Sequence, residues 1–474
     1  VGETRQRAIV LGASMGGLLA ARALADFYHT VTVVERDRLP EGPVNRRGVP
    51  QGKHPHALLG KAVEILGHRF PGLFDQLVAD GAIRWDDGDL SRFWWMIGGR
   101  LMARSSTLPD PAAMTNYHLS RPLLEWGVRR AVRAIPNVKI LEQHDFVSLG
   151  TDPERLRITD VWVSKRDNDT AMRLPADLVV DATGRGSRTP MFLEQFGYDR
   201  PRSDSVDVRL AYSTLPVRIP HGMLTEVMVA NPPTPSRPSL FAMIGCEQDT
   251  YFVCVGFLGG QDPPVAREAF LDLVAEVAPP HVTAAVRAGE PLAEVAQHRV
   301  PSNRWLRYDK LARMPEGLLV FGDAVCSFNP IYGQGMTIAA IEAEVLRDCL
   351  RRDNNIRHVQ KRFHRRSAKS IRTAWGTAVR SDLALPYVPG RQSLSARMTT
   401  PYMNCILAAI ETDPAVAQQL LRVLWMIDSP ASLFRPAIVG RAARALVAGG
   451  RRRVPRRDDV GCCSIGLPFR RPRG

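Results

Sequence analysis

The sequence predicts an α/β protein: a Rossmann-like domain on a parallel sheet, an inserted mixed β-sheet domain, and a helical C-terminal region. Three observations carry that prediction. Residues 7–36, RAIVLGASMGGLLAARALADFYHTVTVVER, read as strand, glycine-rich turn, helix and strand. Two later stretches, ADLVVDATGRGSR at 176–188 and EGLLVFGDAVCSFNPIYGQGMT at 316–337, each run a buried strand into a glycine-bearing loop. The segment between those two is rich in β-branched and aromatic residues, as sheets are.

The first unit is a βαβ element. Gly12 permits a tight turn out of the strand, Gly16 extends that turn, and Gly17 lets the helix pack closely on the sheet. The helix N-terminus presents unpaired N–H groups and a partial positive charge, which suit a pyrophosphate. Glu35, 18 residues beyond Gly17, ends the second strand with Arg36 beside it. A carboxylate there is placed to accept from both ribose hydroxyls of an adenosine. Ser14 stands where the GxGxxG fingerprint has its second glycine, so the motif is imperfect.

In the second stretch the strand Leu178–Val180 ends on Asp181, and the chain turns through Gly184 and Gly186. The third is more specific. A strand, Leu318–Phe321, meets Gly322-Asp323, then a loop with Pro330, Gly333 and Gly335, then a long helix after Met336. Ile338, Ile341, Val345, Leu346 and Cys349 mark one apolar face of that helix. Asp323 suits hydrogen bonds from a polyol, the glycines admit a planar ring, and the helix N-terminus favours negative charge.

With all three motifs in order, the chain resembles the flavoprotein monooxygenases built on the para-hydroxybenzoate hydroxylase fold. The resemblance spans roughly residues 8–350. Within that family it is similar to actinobacterial polyether epoxidases in RRGVPQGKHPHALL (46–59), DLVVDATGRGS (177–187) and GDAVCSFNPIYGQGM (322–336). The resemblance implies a glutathione-reductase-type FAD-binding domain, with FAD as cofactor and NAD(P)H as co-substrate. It implies that Arg47 reaches the FAD phosphates or ribose and that Arg121, in LSRPLLEW, is a cofactor-contacting arginine. It also implies that Asp181, with Arg188, belongs to a motif serving both FAD and NAD(P)H. The expected activity is hydroxylation or epoxidation of a hydrophobic small molecule with O₂, through a flavin C4a-hydroperoxide. Such chemistry needs no acid–base side chain, and no catalytic residue is assigned.

The resemblance implies an FAD-binding domain over 1–200, a substrate-binding sheet over 201–300 and the FAD-binding domain again over 301–350; the residues beyond it read as a helical cap over 351–450 and a basic, disordered tail over 451–474. In the substrate segment Val206–Pro216, Leu224–Ala230 and a hairpin around Glu247–Thr250 read as strands. Phe241 and Met243 share one strand face, as do Tyr251, Val253 and Val255; which face looks at the cavity stays open. Apolar patches at Tyr402–Ile410 and Leu420–Ile427 read as a cap on the body, with a surface for a membrane or for passage of a greasy substrate as the alternative.

Composition bounds the rest. The 474 residues carry a formal charge of +15. Most of that charge lies in two places: six basic residues and no acid over 360–372, and eight arginines against two aspartates over 451–474. This reads as a solvated helix face and a tail rather than a nucleic-acid site. A peripheral membrane contact through the basic helical region is the alternative. No run approaches the ~20 apolar residues of a membrane span. The first strand begins too early for a signal peptide, and seven dispersed cysteines read as reduced thiols, so the expected location is the cytoplasm. The Cys462-Cys463 pair in the tail reads as non-structural. His54 and His56 lack a third ligand and are read as structural or cofactor-adjacent, with no metal.

Two rival activities use similar motifs. Flavin-dependent halogenases show W-x-W-x-I-P and a catalytic lysine, whereas this chain has FWWMIGG at 93–99. A reductase of the geranylgeranyl-reductase type, acting on double bonds without O₂, is the alternative kept. A flavoprotein whose FAD is only structural is the non-catalytic reading.

Overall fold

The computed structural model describes residues 5–167 and 170–449, so the basic tail with Cys462 and Cys463 lies outside the described residues. A five-stranded parallel sheet runs in the order Leu318–Val320, Leu178–Asp181, Arg7–Leu11, Thr30–Val34, Val138–Leu141. Its strands are short, and all but the edge strand Val138–Leu141 are apolar and largely buried on both faces, as crossover-linked parallel strands are.

The register of this sheet positions the site. Leu11 pairs with Asp181 on one side and Val34 on the other, and Asp181 pairs with Val320. The three glycine-bearing exits, at Gly12, Gly184 and Gly322, therefore leave the sheet at the same carboxyl edge although far apart in sequence. In α/β sheets that edge is where ligands bind.

Helices Met15–Ala25, Arg121–Arg133 and Gly335–Arg352 cover one face, burying Leu18, Leu24, Leu124 and Leu346 against Val31 and Val33. The apolar face expected of the 335–352 helix is observed: Ile338, Val345, Leu346 and Cys349 are buried and Ile341 half-buried. On the other face Ile9, Val179 and Leu318 meet Trp305 and Ile371. The 27-residue helix Ile356–Asp382 turns Val359, Phe363 and Ile371 inward, while Lys361, Arg365, Lys369 and Arg372 face solvent.

The second sheet is mixed and larger. In order it joins Cys326–Ser327, Ala296–Leu306, Ser203–Arg218, Thr250–Phe257, Ser239–Gly245, Met228–Asn231, Phe93–Ile97 and Arg100–Leu101, with Glu290–Pro291 added to Ser203–Arg218. It thus recruits strands from 93–101 and 326–327 as well as the central segment. Met228–Asn231 pairs in parallel with Phe93–Ile97. Its strand starts later than the apolar run suggests, because Glu226 turns inward to an ion pair with Arg104 and a hydrogen bond with His281. The predicted hairpin is present, with Gln248 and Asp249 at positive φ in its turn.

The open question of faces is resolved. Phe241, Met243, Val253 and Val255 pack outward under helices Arg267–Val277 and Pro280–Ala288. Leu240, Ala242 and Cys254 form the opposite face. The C-terminal apolar patches pack on the body: Ile406, Ile410, Leu420, Leu421 and Trp425 bury against Leu59, Trp85, Phe93 and Met102. An antiparallel three-stranded sheet, His144–Thr151, Ile158–Lys165 and Ala171–Pro175, has no counterpart in the sequence reading. No helix among the described residues is long and apolar enough to cross a membrane.

Candidate functional site

A cavity of about 2010 Å³ opens from the carboxyl edge of the parallel sheet to the inner face of the large sheet. A pocket for one drug-sized ligand is ~300–1,000 Å³, so this space has room for a dinucleotide and a second molecule. Its wall includes Gly12, Ser14, Gly16, Glu35, Arg36, Arg121, Gly184, Arg188, Gly322, Asp323, Pro330, Gly333, Gly335 and Met336. Residues expected from three distant motifs are brought to one surface.

At the first turn Gly12 has φ +96, which a side chain disfavours. Gly17 does not line the cavity; a Cβ on it would lie 1.8 Å from the Gly12 carbonyl oxygen, so it serves helix–strand packing. Glu35 is buried and accepts from Ala13 N at 2.8 Å and Asp37 N at 3.0 Å. Each carboxylate oxygen keeps lone-pair capacity toward the cavity. Ser14, the departure from the fingerprint, has its own partners. Its Oγ accepts from Arg121 Nη2 at 2.8 Å and lies 3.2 Å from Glu125 Oε2 as donor.

Arg121 is buried and bonds Glu125 at 3.1 Å. Burial by itself would raise the Glu125 proton affinity, but Arg121 and Arg46 outweigh it and hold that carboxyl below its ordinary range. Ser120, the cap of the Arg121 helix, donates its N–H to Glu247 of the hairpin at 2.9 Å, tying roof to floor.

Two expected residues are displaced. Arg47 is exposed and outside the cavity wall; its neighbour Arg46 points in instead, bonding Asp37 and Glu125 at 2.8 Å each, with Glu35 at 3.3 Å. A turn closed by Val49 N on the Arg46 carbonyl at 3.1 Å puts Arg47 at its exposed corner, and the acidic cluster captures only Arg46. Asp181 also stays out of the wall. Its carboxylate is consumed locally by Thr183 N at 2.9 Å and by the hydroxyls of Thr183, Ser187 and Thr189, so it shapes the turn. Arg188 reaches the rim, lying over the Phe146 ring at 5.2 Å and bonding the Val147 carbonyl at 3.2 Å.

The third motif supplies the least satisfied group. Asp323 opens its carboxylate to the cavity and accepts no hydrogen bond from the described residues. Surrounding protein raises its proton affinity, against the pull of Arg121 and Arg185. Gly335, at the N-terminus of the 18-residue helix, sits beside it; a Cβ there would lie 3.5 Å from Asp323 Oδ1. Beneath, Glu342 accepts Gly322 N at 2.7 Å.

Other wall residues lie outside the expected set of cofactor contacts. Arg185, inside the second motif, bonds Ser302 O at 2.7 Å and Ser327 Oγ at 2.8 Å. His56 lines the cavity and donates Nδ1–H to the His54 carbonyl at 2.9 Å. Burial first, then Arg121, lowers its pKa to about 4, so it is an uncharged ring. Tyr212, His298 and His118 also line the cavity, and so do Met403, Leu407, Leu420 and Leu424 of the C-terminal helices. The two histidines of GKHPHAL join no cluster of three ligating side chains among the described residues.

The residues present would fit FAD: a helix N-terminus at a tight glycine turn, the carboxylate of Glu35 beside it, and the unpartnered carboxylate of Asp323 before a second helix N-terminus.

No family model matches the chain. Protein Rv3254 of Mycobacterium tuberculosis (strain ATCC 25618 / H37Rv) is 35% identical over 453 residues, spanning 93% of this chain and 94% of that protein. Among solved structures, the flavin-dependent brominase Bmp2 aligns at TM-score 0.63 and 11% identity, covering 94% of this chain and 99% of its own. CmlS, a flavin-dependent halogenase, aligns at TM-score 0.64 and 16% identity over 94% and 78%. The p-nitrophenol 4-monooxygenase PnpA from Pseudomonas putida DLL-E4 aligns at TM-score 0.62 and 16% identity over 90% and 99%. At such identities these likenesses are of fold. The chain belongs to the family of Protein Rv3254, on the fold that flavin-dependent monooxygenases and halogenases share.

Proposed function

We propose that the protein is an FAD-dependent monooxygenase that uses NAD(P)H and O₂ to hydroxylate or epoxidise an apolar small molecule. The observation that carries this is Asp323: a carboxylate inside the protein, open to the cavity, with no donor from the described residues. A polyol chain supplies the missing donors.

When bound, FAD supplies the redox chemistry, taking electrons from NAD(P)H and passing them to O₂. One oxygen atom enters the substrate and the other leaves as water. The chain's own residues bind, orient and exclude water. The N-terminus of the 15–25 helix, with Arg36 and Arg46, favours the pyrophosphate, and Glu35 the adenosine ribose. Asp323 would accept hydrogen bonds from the ribityl hydroxyls, and the N-terminus of the 335–352 helix would favour negative charge on the ring. The inner sheet face and the cap helices keep the reacting space apolar.

The motifs at 46–59, 177–187 and 322–336, which resemble those of polyether epoxidases, support an apolar substrate. Halogenases share the fold, but among the described residues lining the cavity there is no lysine. That favours oxygen insertion over halogenation.

The test is an absorption spectrum of purified protein, followed by NADPH with and without air. Expected is a flavin band that bleaches under NADPH without air and returns with O₂ consumption. Bleaching with no O₂ uptake on reopening to air would instead support the reductase. No flavin after reconstitution would overturn the reading.

A further inference from the structure

The cavity wall on the large sheet is mostly hydrocarbon: Leu210, Leu240, Ala242, Leu258 and Val300 form one patch. Two polar rings interrupt it. Tyr212 and His298 stand directly opposite each other on adjacent antiparallel strands, with ring centroids 5.6 Å apart. Both line the cavity. Tyr212 is only 7% exposed, and its hydroxyl makes no hydrogen bond to the described residues.

This placement is built. Across the next strand Tyr212 faces Gly256, where a Cβ would come within 2.7 Å of the Tyr212 Cβ. The glycine lets the two strands approach closely here, since a Cβ would also lie 2.6 Å from the Ala211 carbonyl oxygen. His54 packs edge-on against the tyrosine ring at 4.7 Å and is itself pinned by Thr214 Oγ1 at 2.8 Å. Burial depresses the proton affinity of His298, and burial raises that of the tyrosine hydroxyl. Both rings are uncharged at neutral pH. Ile331, from the loop leading to the 335–352 helix, packs on the same patch, so the pair adjoins the loop assigned to the flavin ring.

The Tyr212 hydroxyl opens to the cavity, so a ligand that fills the space must pair with it or lose ~1–3 kcal/mol to an unsatisfied donor. A donor and an acceptor side by side match a hydroxyl group, which does both; an ether or ketone oxygen only accepts.

We propose that Tyr212 and His298 are the specificity-determining pair of the substrate compartment, holding a hydroxyl group of an otherwise apolar, ring-sized substrate. Tyr212 donates to the hydroxyl oxygen, and a ring nitrogen of His298 accepts its hydrogen. No covalent bond changes in this recognition. The proposal rests on the monooxygenase reading only in calling the bound molecule a substrate.

The test is equilibrium dialysis of the full-length protein against 1-naphthol and against naphthalene, which lacks the hydroxyl. The parent is expected to prefer 1-naphthol by at least ~10-fold. Tyr212→Phe, which keeps the ring over Gly256, should cut that preference to under ~3-fold while leaving naphthalene affinity within ~2-fold. His298→Leu should act in the same direction. A parent without preference would overturn the proposal, and so would variants that keep the preference or lose both probes equally. Hydroxyl selectivity that responds to these variants in a protein that takes up no flavin would sink the monooxygenase reading and leave this one standing.

Discussion

Asp323 and Ser14 show how single side chains acquire meaning from their surroundings. Asp323 opens its carboxylate to the cavity with no donor from the described residues, so a polyol ligand entering there meets a free acceptor. Asp323→Ala is therefore expected to lower FAD occupancy, weakening binding by ~1–3 kcal/mol. The ratio of flavin to protein absorbance after dialysis measures it; unchanged retention would mean that the ribityl assignment is wrong. Ser14 breaks the fingerprint as a string, yet its hydroxyl joins Arg121 and Glu125, contacts that a glycine cannot make. Arg46 and Arg47 are neighbours in sequence, and only the loop's path decides which one enters the acidic cluster.

At the scale of elements, the long basic helix Ile356–Asp382 ends in a buried acid that its overall charge conceals. Asp382 accepts from Asn303 Nδ2 at 2.6 Å, Asn329 Nδ2 at 3.0 Å and the Tyr332 hydroxyl at 2.7 Å. It thereby ties the large sheet and the 329–333 loop, which lines the cavity, to the end of that helix. Asp382→Ala leaves three donors short of a partner and is expected to cost about 3 kcal/mol. A denaturant titration reads this as a lowered midpoint. A midpoint within error of the parent would show that the loop is held by other contacts.

For the whole molecule, buried titratable groups set a window of pH stability. Burial first, then Asp323, raises the Glu342 pKa from 4.5 to about 8, against the bond from Gly322 N. The folded state holds a proton there that the unfolded chain releases, so this contribution is full below pH 4.5 and is lost as pH rises toward about 8. Buried imidazoles act the other way. Burial lowers His56, His118 and His364 from 6.5 to about 4, so their contribution is full above pH 6.5 and is lost as pH falls toward 4. Glu342→Gln should flatten the alkaline decline and leave the acid one intact, measured by unfolding free energy at steps of pH. A decline as steep as the parent's would mean that Glu342 is ionised in the folded protein.

The sequence alone determined the parallel sheet, the three turns and the helix after the third. Glycine placement, strand-length apolar runs and helical periodicity are local properties, readable wherever they occur. Tertiary structure decided what depends on partners far along the chain. Asp181 looked like a ligand residue until Thr183, Ser187 and Thr189 closed around it. Phe241 and Met243 faced outward because the 267–288 helices needed an apolar partner, leaving Leu240 and Ala242 to the cavity. The pairing of Tyr212 with His298 across a strand boundary, and the strand at 93–97 joining a sheet formed mostly beyond residue 200, follow from strand register. Register is a contest among long-range pairings, which one-dimensional periodicity does not encode.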